Sequence, residues 1–261
     1  MARATFYYHL KQLQVPNKKE NLRKQVITIY HAHKGRYGYR RITLEMRNRS
    51  ILINHKTVAR LMRVSGIKSQ VRIKKYRSYR GAEGKICCNV LERDFKATAP
   101  NRKWVTDVTE FALFGQKRYL SPIMDLYNGE IISYTISAHP NLVMVTQMLS
   151  SAFRKLNNKT ELIMHSDQGW HYQHATYQQM LKNKGIIQSM SRKGNCLDNA
   201  VMENFFGILK SELLYLQKFE SMESFEKELK EYIFYYNNLR IKQKLKGLSP
   251  VQYRNQSLNI A

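Results

Sequence analysis

Apolar positions in the first seventy residues recur at the spacing of short helices. One stripe at three- and four-residue intervals is followed by Gly35; it consists of Leu22, Val26, Ile29, Tyr30 and His33. A second helix is predicted over residues 41–49, with Ile42 and Met46 facing inward. A third, capped by Asn54 and closed by Gly66, is predicted over residues 56–64. Two short helices around a tight connection predict a helix-turn-helix-like region.

From residue 103 onward the pattern changes to β-branched and aromatic runs separated by turn residues. Strands are predicted at residues 103–114, 119–126, 130–137, 161–165 and 186–190. Helices are predicted at residues 142–156, 175–184, 198–216 and 221–239. The order β-β-β-α-β-α-β-α predicts an α/β class, with an RNase-H-like mixed sheet and helices on its faces.

Charge separates these two parts of the chain. The sequence holds 44 Lys and Arg against 19 Asp and Glu, a net charge of +25, and residues 1–100 carry +19 of it. Such an asymmetry indicates contact between the basic part and nucleic acid. We expect DNA contacts from the third helix and from a basic stretch that follows it; the candidate residues are Lys56, Arg60, Arg63, Arg72, Lys74, Lys75, Arg77 and Arg80.

These patterns together predict the organisation of the chain. We expect a helical DNA-binding region (1–67), a basic linker (68–100), a catalytic core (101–220) and a C-terminal helical extension (221–261). No apolar run is long enough to span a membrane, no signal segment is seen, and three cysteines form no disulfide framework. The sequence therefore predicts a cytoplasmic protein without a membrane partner, associated with the bacterial nucleoid.

Three acids stand out on the predicted sheet. Asp107 falls within the first strand, Asp167 follows the fourth, and Glu203 lies one turn into the helix that starts near residue 198. In an RNase-H-like sheet the first and fourth strands are neighbours, so these carboxylates converge. Clustered carboxylates favour a hard cation such as Mg²⁺ or Mn²⁺, and two such ions suit phosphodiester chemistry.

Each acid taken singly also fits an ordinary structural role, in a strand, a turn or a first helical turn. Asp125 is a fourth candidate, which its apolar flanks assign to a structural role. His165 is interpreted as a packed strand residue, with a partner of the site as the alternative. A zinc site is excluded because two cysteines are adjacent and two histidines are one residue apart, which is poor tetrahedral spacing.

Long ordered motifs carry a resemblance to a known family. The motifs are WVTDVT at 104–109, HSDQG at 165–169 and SRKGNCLDNAVMENFF at 191–206. They resemble the second-frame (orfB) product of the insertion-sequence-three family of transposases, in the retroviral-integrase superfamily. The 35 residues between Asp167 and Glu203 match the spacing of that family's DDE triad. YGYRRI (37–42), KTVARLM (56–62), YYNNLR (235–240) and LSPV (248–251) extend the resemblance over nearly the whole chain.

The resemblance implies a DDE transposase. Asp107, Asp167 and Glu203 would be its catalytic metal ligands, with two Mg²⁺ or Mn²⁺ ions, and Lys210 would lie near the DNA end. The reaction would be strand cleavage followed by strand transfer between the element's terminal inverted repeats and target DNA, by a homo-oligomer on DNA. An upstream frame often supplies a further helix-turn-helix and a leucine zipper as partner or fusion, and this chain resembles the catalytic frame alone.

Two other functions fit parts of the pattern. A DNA-binding accessory or regulatory protein would use an inactive RNase-H-like scaffold, and an intact triad argues against it. A ribonuclease H-like nuclease would share the fold and the ions, but the basic N-terminal region and the 35-residue spacing favour the transposase.

Overall fold

The computed structural model describes residue 3 and residues 5–7, 18–70, 86–156, 161–192 and 195–258. It divides into two compact units, one ending at Val71 and the other beginning at Arg72. Within the described residues, no helix has both the length and the apolar character needed to cross a membrane.

Between residues 18 and 70, the first unit contains three helices: α1 (Lys18–Ala32), α2 (Tyr39–Asn48) and α3 (His55–Val64). Asn54 begins α3 as predicted, because its side chain accepts a hydrogen bond from the Lys56 amide at 2.8 Å. Gly66 closes the unit's last helix in the left-handed region, with φ of +67°. The inward faces meet in a small apolar core formed by Val26, Ile29, Tyr37, Ile42, Met46, Val58, Leu61 and Met62.

The second unit is built on a six-stranded sheet. Its strands are β1 (Lys103–Thr106), β2 (Thr109–Leu113), β3 (Gln116–Asp125), β4 (Ile131–Ser137), β5 (Ile163–Ser166) and β6 (Ile187–Met190). The antiparallel β3 pairs with β4 on one side and with both β1 and β2 on the other. β5 then extends the sheet parallel to β1, and β6 lies parallel to β5. This is the predicted RNase-H-like topology.

Helices cover both faces of this sheet. They are α4 (Leu142–Phe153), α5 (Trp170–Gln173), α6 (Ala175–Asn183), α7 (Ala200–Leu209), α8 (Met222–Asn238) and α9 (Pro250–Leu258). Neighbouring residues of β1 point to opposite faces, so Trp104 packs with α4 and α6 while Val105 packs with α7 and α8. Each fully buried large side chain contributes about 1.5–3 kcal/mol. Two apolar layers therefore hold the sheet and fix α7 across it.

Two regions differ from the sequence prediction. Residues 86–100 were assigned to the linker, yet the Val90 and Leu91 amides donate to the Ser189 hydroxyl of the core at 2.9 and 3.1 Å. Residues 221–261 were assigned to an extension, yet Phe225 and Leu229 of α8 are fully buried in the layer over the sheet. Both segments are therefore parts of the second unit.

Candidate active site

Asp107 and Asp167 lie just beyond the carboxyl ends of two adjacent parallel strands. In the β1–β5 pair, Val105 lies opposite His165, an offset of 60 residues. Asp107 and Asp167 are separated by the same offset, two residues further along. Neighbouring parallel strands carry their carboxyl ends to the same edge of a sheet. The predicted adjacency of these strands is confirmed, and it brings the two acids to one edge.

The backbone around Asp107 differs from the prediction of one strand over residues 103–114. Asp107 lies in a two-residue gap between β1 and β2. Both strands pair with β3 in the same register, and this register places Pro122 opposite Asp107. Proline has no amide hydrogen, so a ladder hydrogen bond is lost there. The Thr106 hydroxyl donates to the Pro122 carbonyl at 2.9 Å instead, and the Val108 amide donates to the Asp107 carboxylate at 2.7 Å. A proline on the neighbouring strand thus accounts for the break at Asp107.

Asp167 is held by the turn that leads into α5. The Gly169 amide donates to Asp167 Oδ1 at 2.9 Å. A Cβ on Gly169 would lie 3.0 Å from that oxygen and 3.3 Å from the ring of Tyr172. Burial raises the pKa of Asp167, and the hydrogen bond from Gly169 acts against this rise. Close approach therefore favours glycine here, and the backbone angles do not require it.

Glu203 lies in the first turn of α7, which crosses the same sheet edge. Burial raises the pKa of Asp107 well above its ordinary range, and the negative charges of Asp167 and Glu203 act in the same direction. The Val108 amide and the ammonium group of Lys210 act in the opposite direction. The three acids and Lys210 are thus close enough to influence one carboxyl group.

Lys210 stands at the end of α7, where the helix widens. Residues Lys210–Leu214 form a π-helical turn, although a single α-helix was predicted over residues 198–216. Lys210 itself keeps α-helical angles, so its phase relative to Glu203 holds. Its ammonium group lies 5.4 Å from the centre of the Phe111 ring. This contact directs the lysine toward β2, next to the edge that carries the acids.

The donor set fits a hard divalent cation, because it consists of carboxylate oxygens whose mutual repulsion a cation would relieve. Within the described residues, no three His, Cys, Asp or Glu side chains are arranged closely enough to enclose a metal ion. The acids are neighbours at one edge of the sheet, at distances wider than those of an enclosed metal site.

Two other residues considered in the sequence have structural contacts. Asp125 has no exposed surface; its carboxylate accepts hydrogen bonds from the Asn101 and Tyr127 amides and pairs with Arg254. His165 is also fully buried, and its ring nitrogens lie 2.8 Å from the Ser189 hydroxyl and 2.9 Å from the Asp198 carbonyl oxygen. Both observations support the structural interpretation.

The candidate DNA contacts divide into two groups. Lys56, Arg60 and Arg63 are exposed on α3. The basic stretch predicted to follow phosphates lies outside the described residues; it comprises Arg72, Lys74, Lys75, Arg77 and Arg80.

Sequence reasoning missed Gly169 and Tyr172 as parts of the site. Tyr172 is buried, and burial raises the pKa of its phenol, with the charges of Asp107 and Asp167 adding to that rise. The available signal was their position two and five residues after Asp167. Gly169 ends the quoted HSDQG motif, in which only the acid was given a role, and Tyr172 lies three residues beyond that motif.

Family profiles match three parts of the chain. An HTH-like domain matches residues 16–75, and the integrase core domain matches residues 97–196. A second integrase core profile matches residues 203–258. Among solved structures, the magnesium complex of the HTLV-2 integrase catalytic core has 19% identity and a TM-score of 0.48, over 60% of this chain and 98% of that one.

Several relatives match over most of their length. InsK of insertion sequence element IS150 from Escherichia coli K12 is 56% identical over 98% of this chain and 90% of its own. The transposase of IS904 from Lactococcus lactis is 35% identical over 90% of this chain and 94% of its own. Transposase InsF of IS3A from Escherichia coli K12 is 34% identical over 89% of this chain and 82% of its own. The chain belongs to the insertion-sequence-three family of transposases, enzymes that cut DNA and transfer its strands with the help of divalent metal ions.

Proposed function

We propose that Asp107, Asp167 and Glu203 are the catalytic metal ligands of this transposase, and that they hold two Mg²⁺ or Mn²⁺ ions. The observation that carries this proposal is the strand-end pair Asp107 and Asp167, which share one register and one sheet edge. The effect of Glu203 on the pKa of Asp107 supports its place as the third ligand.

The reaction proposed for this site is phosphoryl transfer between oxygen atoms of water and DNA. When bound, two divalent ions would activate the attacking oxygen and stabilise the leaving one. Water first attacks a phosphodiester at the element end, and the freed 3′-OH then attacks a second phosphodiester, whose 3′ oxygen leaves with a proton. The chain forms no covalent bond to DNA in this scheme. Its amides at Val108 and Gly169 orient the carboxylates, and Lys210 favours the charged form of Asp107.

The first unit and the linker supply DNA binding in this proposal. Lys56, Arg60 and Arg63 share α3, the second helix of the helix-turn-helix-like pair, and face solvent. We propose that they and the basic stretch at residues 72–80 bind the terminal inverted repeats and target DNA. The enzyme would act as a homo-oligomer on DNA, alone or with the upstream-frame helix-turn-helix and zipper segment as partner or fusion.

Strand transfer with a labelled element end tests the metal ligands. The full chain is incubated with Mg²⁺ or Mn²⁺, and Asp107→Asn, Asp167→Asn and Glu203→Gln are compared with the native sequence. Loss of a charged ligand should reduce cleavage and joining at least about 10³-fold for each variant, because general transition-state stabilisation is lost. DNA binding, measured by fluorescence anisotropy, should stay within twofold.

Asp125→Asn is the matched control, since it also neutralises a buried aspartate of the sheet. It should retain strand transfer. Native-like joining by any one of the three proposed ligand variants would contradict the assignment. Hydrolysis of an RNA–DNA hybrid without joining of DNA ends would favour the ribonuclease H-like alternative.

Salt dependence tests the basic stretch separately. The test replaces five basic residues by Ala: Arg72, Lys74, Lys75, Arg77 and Arg80. The negative slope of log DNA-binding constant against log salt should become shallower by several units, at about 0.9 for each lost phosphate contact. An unchanged slope would show that this stretch does not contact the DNA backbone.

A further inference from the structure

Asp198 is the most heavily bonded carboxylate of the described residues outside the proposed ligands. Its side chain has no exposed surface and pairs with Arg93 at 2.7 Å and with Arg192 at 3.0 Å. It also accepts hydrogen bonds from the Asn89 amide group at 3.1 Å and from the Arg192 backbone amide at 3.0 Å. These partners hold the pKa of Asp198 well below its ordinary range, chiefly through the hydrogen bond from Arg192.

The position of Asp198 connects it to the candidate ligands. It lies in the 3₁₀ turn Cys196–Asn199, which leads directly into α7 and ends four residues before Glu203. Its backbone carbonyl accepts a hydrogen bond from His165 of β5, two residues before Asp167. One residue therefore ties the start of α7 to the strand that ends at Asp167.

Two of the residues that bond to Asp198 come from a segment about a hundred residues earlier in the chain. Asn89 and Arg93 belong to residues 86–95, the part of the predicted linker (68–100) that comes after its basic stretch at residues 72–80. This segment also lies along β6, where the Met190 amide donates to the Cys88 carbonyl at 3.3 Å. The end of the linker is thus fixed to the turn that begins α7.

We propose that Asp198 is a positioning residue that places Glu203 relative to Asp107 and Asp167, with Asn89 and Arg93 securing it from the linker side. The inference rests on the proposed function of those three acids as ligands. Five donor atoms on Asn89, Arg93 and Arg192 fix Asp198 and with it the 3₁₀ turn that leads into α7. Rotation or fraying of that turn would move Glu203 along the sheet edge. Loss of the Asp198 charge would then weaken metal binding through Glu203, without removing a ligand.

Mn²⁺ binding to the full chain tests this proposal, with free Mn²⁺ measured by electron paramagnetic resonance. Asp198→Asn should raise the Mn²⁺ dissociation constant about tenfold, the lower end of the effect of residues that orient metal ligands. In a Glu203→Gln background the same substitution should change the constant by less than about twofold, because coupled residues are not additive. Asp125→Asn, an equally buried and paired aspartate, should leave the constant unchanged.

A second pair of substitutions guards against misfolding of Asp198→Asn. Arg93→Ala with Asn89→Ala removes two donors from partly exposed positions and should raise the Mn²⁺ constant about threefold, a fraction of the tenfold expected above. An unchanged constant in this double variant, or equal effects of Asp198→Asn with and without Glu203, would overturn the positioning role. Native-like Mn²⁺ binding by Glu203→Gln itself would instead overturn the proposed ligand set.

Discussion

Two kinds of carboxylate lie within the same unit, one buried and paired with arginine and the other partly buried at the sheet edge. Asp125 and Glu212 are each neutralised by an arginine, and Glu212 also accepts the Tyr232 hydroxyl at 2.9 Å. At the sheet edge, the hydrogen bonds to Asp107 and Asp167 come from one backbone amide each. The first kind has its charge balanced by the protein, whereas the second kind has its pKa raised by burial.

This difference separates carboxylates whose pairing stabilises the fold from carboxylates whose charge lowers the stability of the fold. A buried acid without a counter-charge opposes folding, and a sequence retains it only for another use. Breaking a buried pair between an acid and an arginine strongly destabilises a protein, because the charge of the arginine is left uncompensated. Stability and activity should therefore respond to the two kinds of substitution in opposite ways.

The largest stability effect is expected at Asp125. Asp125→Asn should lower the free energy of unfolding by about 1–3 kcal/mol, since Arg254 loses one of its two carboxylate partners and keeps Glu130. Asp107→Asn should leave stability without added metal unchanged or higher, because it removes a repelled charge. Urea unfolding of both variants measures this difference, and an equal loss in both would abolish the distinction between the two kinds of acid.

A smaller effect is expected from crowding Asp167. Gly169→Ala adds a Cβ 3.0 Å from Asp167 Oδ1 and should reduce strand transfer about 10–100-fold, as displaced catalytic groups do. Its backbone angles, φ −58° and ψ 139°, suit alanine, so strain is not a cause. Gly38→Ala is the matched control, since its Cβ would approach Ser69 at 3.3 Å within the first unit, which contains none of the three acids. Equal activity of Gly169→Ala and Gly38→Ala would contradict the close-approach argument.

Replacing Lys210 by Ala should lower end cleavage and joining about tenfold, because one charged contact is lost. Lys210→Ala is expected to lower end cleavage and joining more than non-specific DNA binding, because the lysine lies beside the acids. Lys218→Ala and Lys227→Ala carry the same charge change elsewhere. Should all three variants lose activity equally, a general electrostatic contribution would replace the specific role.

The smallest effect is a difference in pH dependence. The folded-state pKa of Asp107 is raised, so its contribution to stability is present below the unfolded value, about 3.9, and is lost as the pH rises through the folded value. The pKa of Asp198 is lowered, so its contribution is present above about 3.9 and is lost as the pH falls below it. Each contributes at most about 1.4 kcal/mol per pH unit. Unfolding should be measured without metal from about pH 2 to about pH 7. Asp198→Asn should remove a rise of stability with pH below about 3.9, and Asp107→Asn should remove a fall of stability with pH above it.

Local signals were sufficient for much of the fold. The helical stripe that includes Val26 and Ile29, the Asn54 cap and the β-branched runs depend on neighbours along the chain, and they predicted elements within a few residues of their observed ends. The adjacency of the strands preceding Asp107 and Asp167 followed from element order alone. The sequence thus indicated which acids share an edge.

Three features depended on partners far along the chain. The break at Asp107 involves Pro122 on another strand, and the π-helical turn after α7 is held by the pairing of Glu212 with Arg240, 28 residues later. The packing of residues 86–95 involves Ser189, about a hundred residues away. Their basic neighbours made this segment resemble linker, because composition reports local solvation and not such distant hydrogen bonds.

The parallel β1–β5 pairing has a consequence for the timing of activity during synthesis. Strands β1 to β4 can pair as a local antiparallel meander as soon as they leave the ribosome, but β5 joins β1 across 60 residues, and contacts of that separation form slowly. Glu203 is translated later still, after β6. In the proposed function, a nascent chain therefore carries the basic sequence at residues 72–80 before the edge with Asp107, Asp167 and Glu203 is assembled, and strand transfer would begin only when the core is nearly complete.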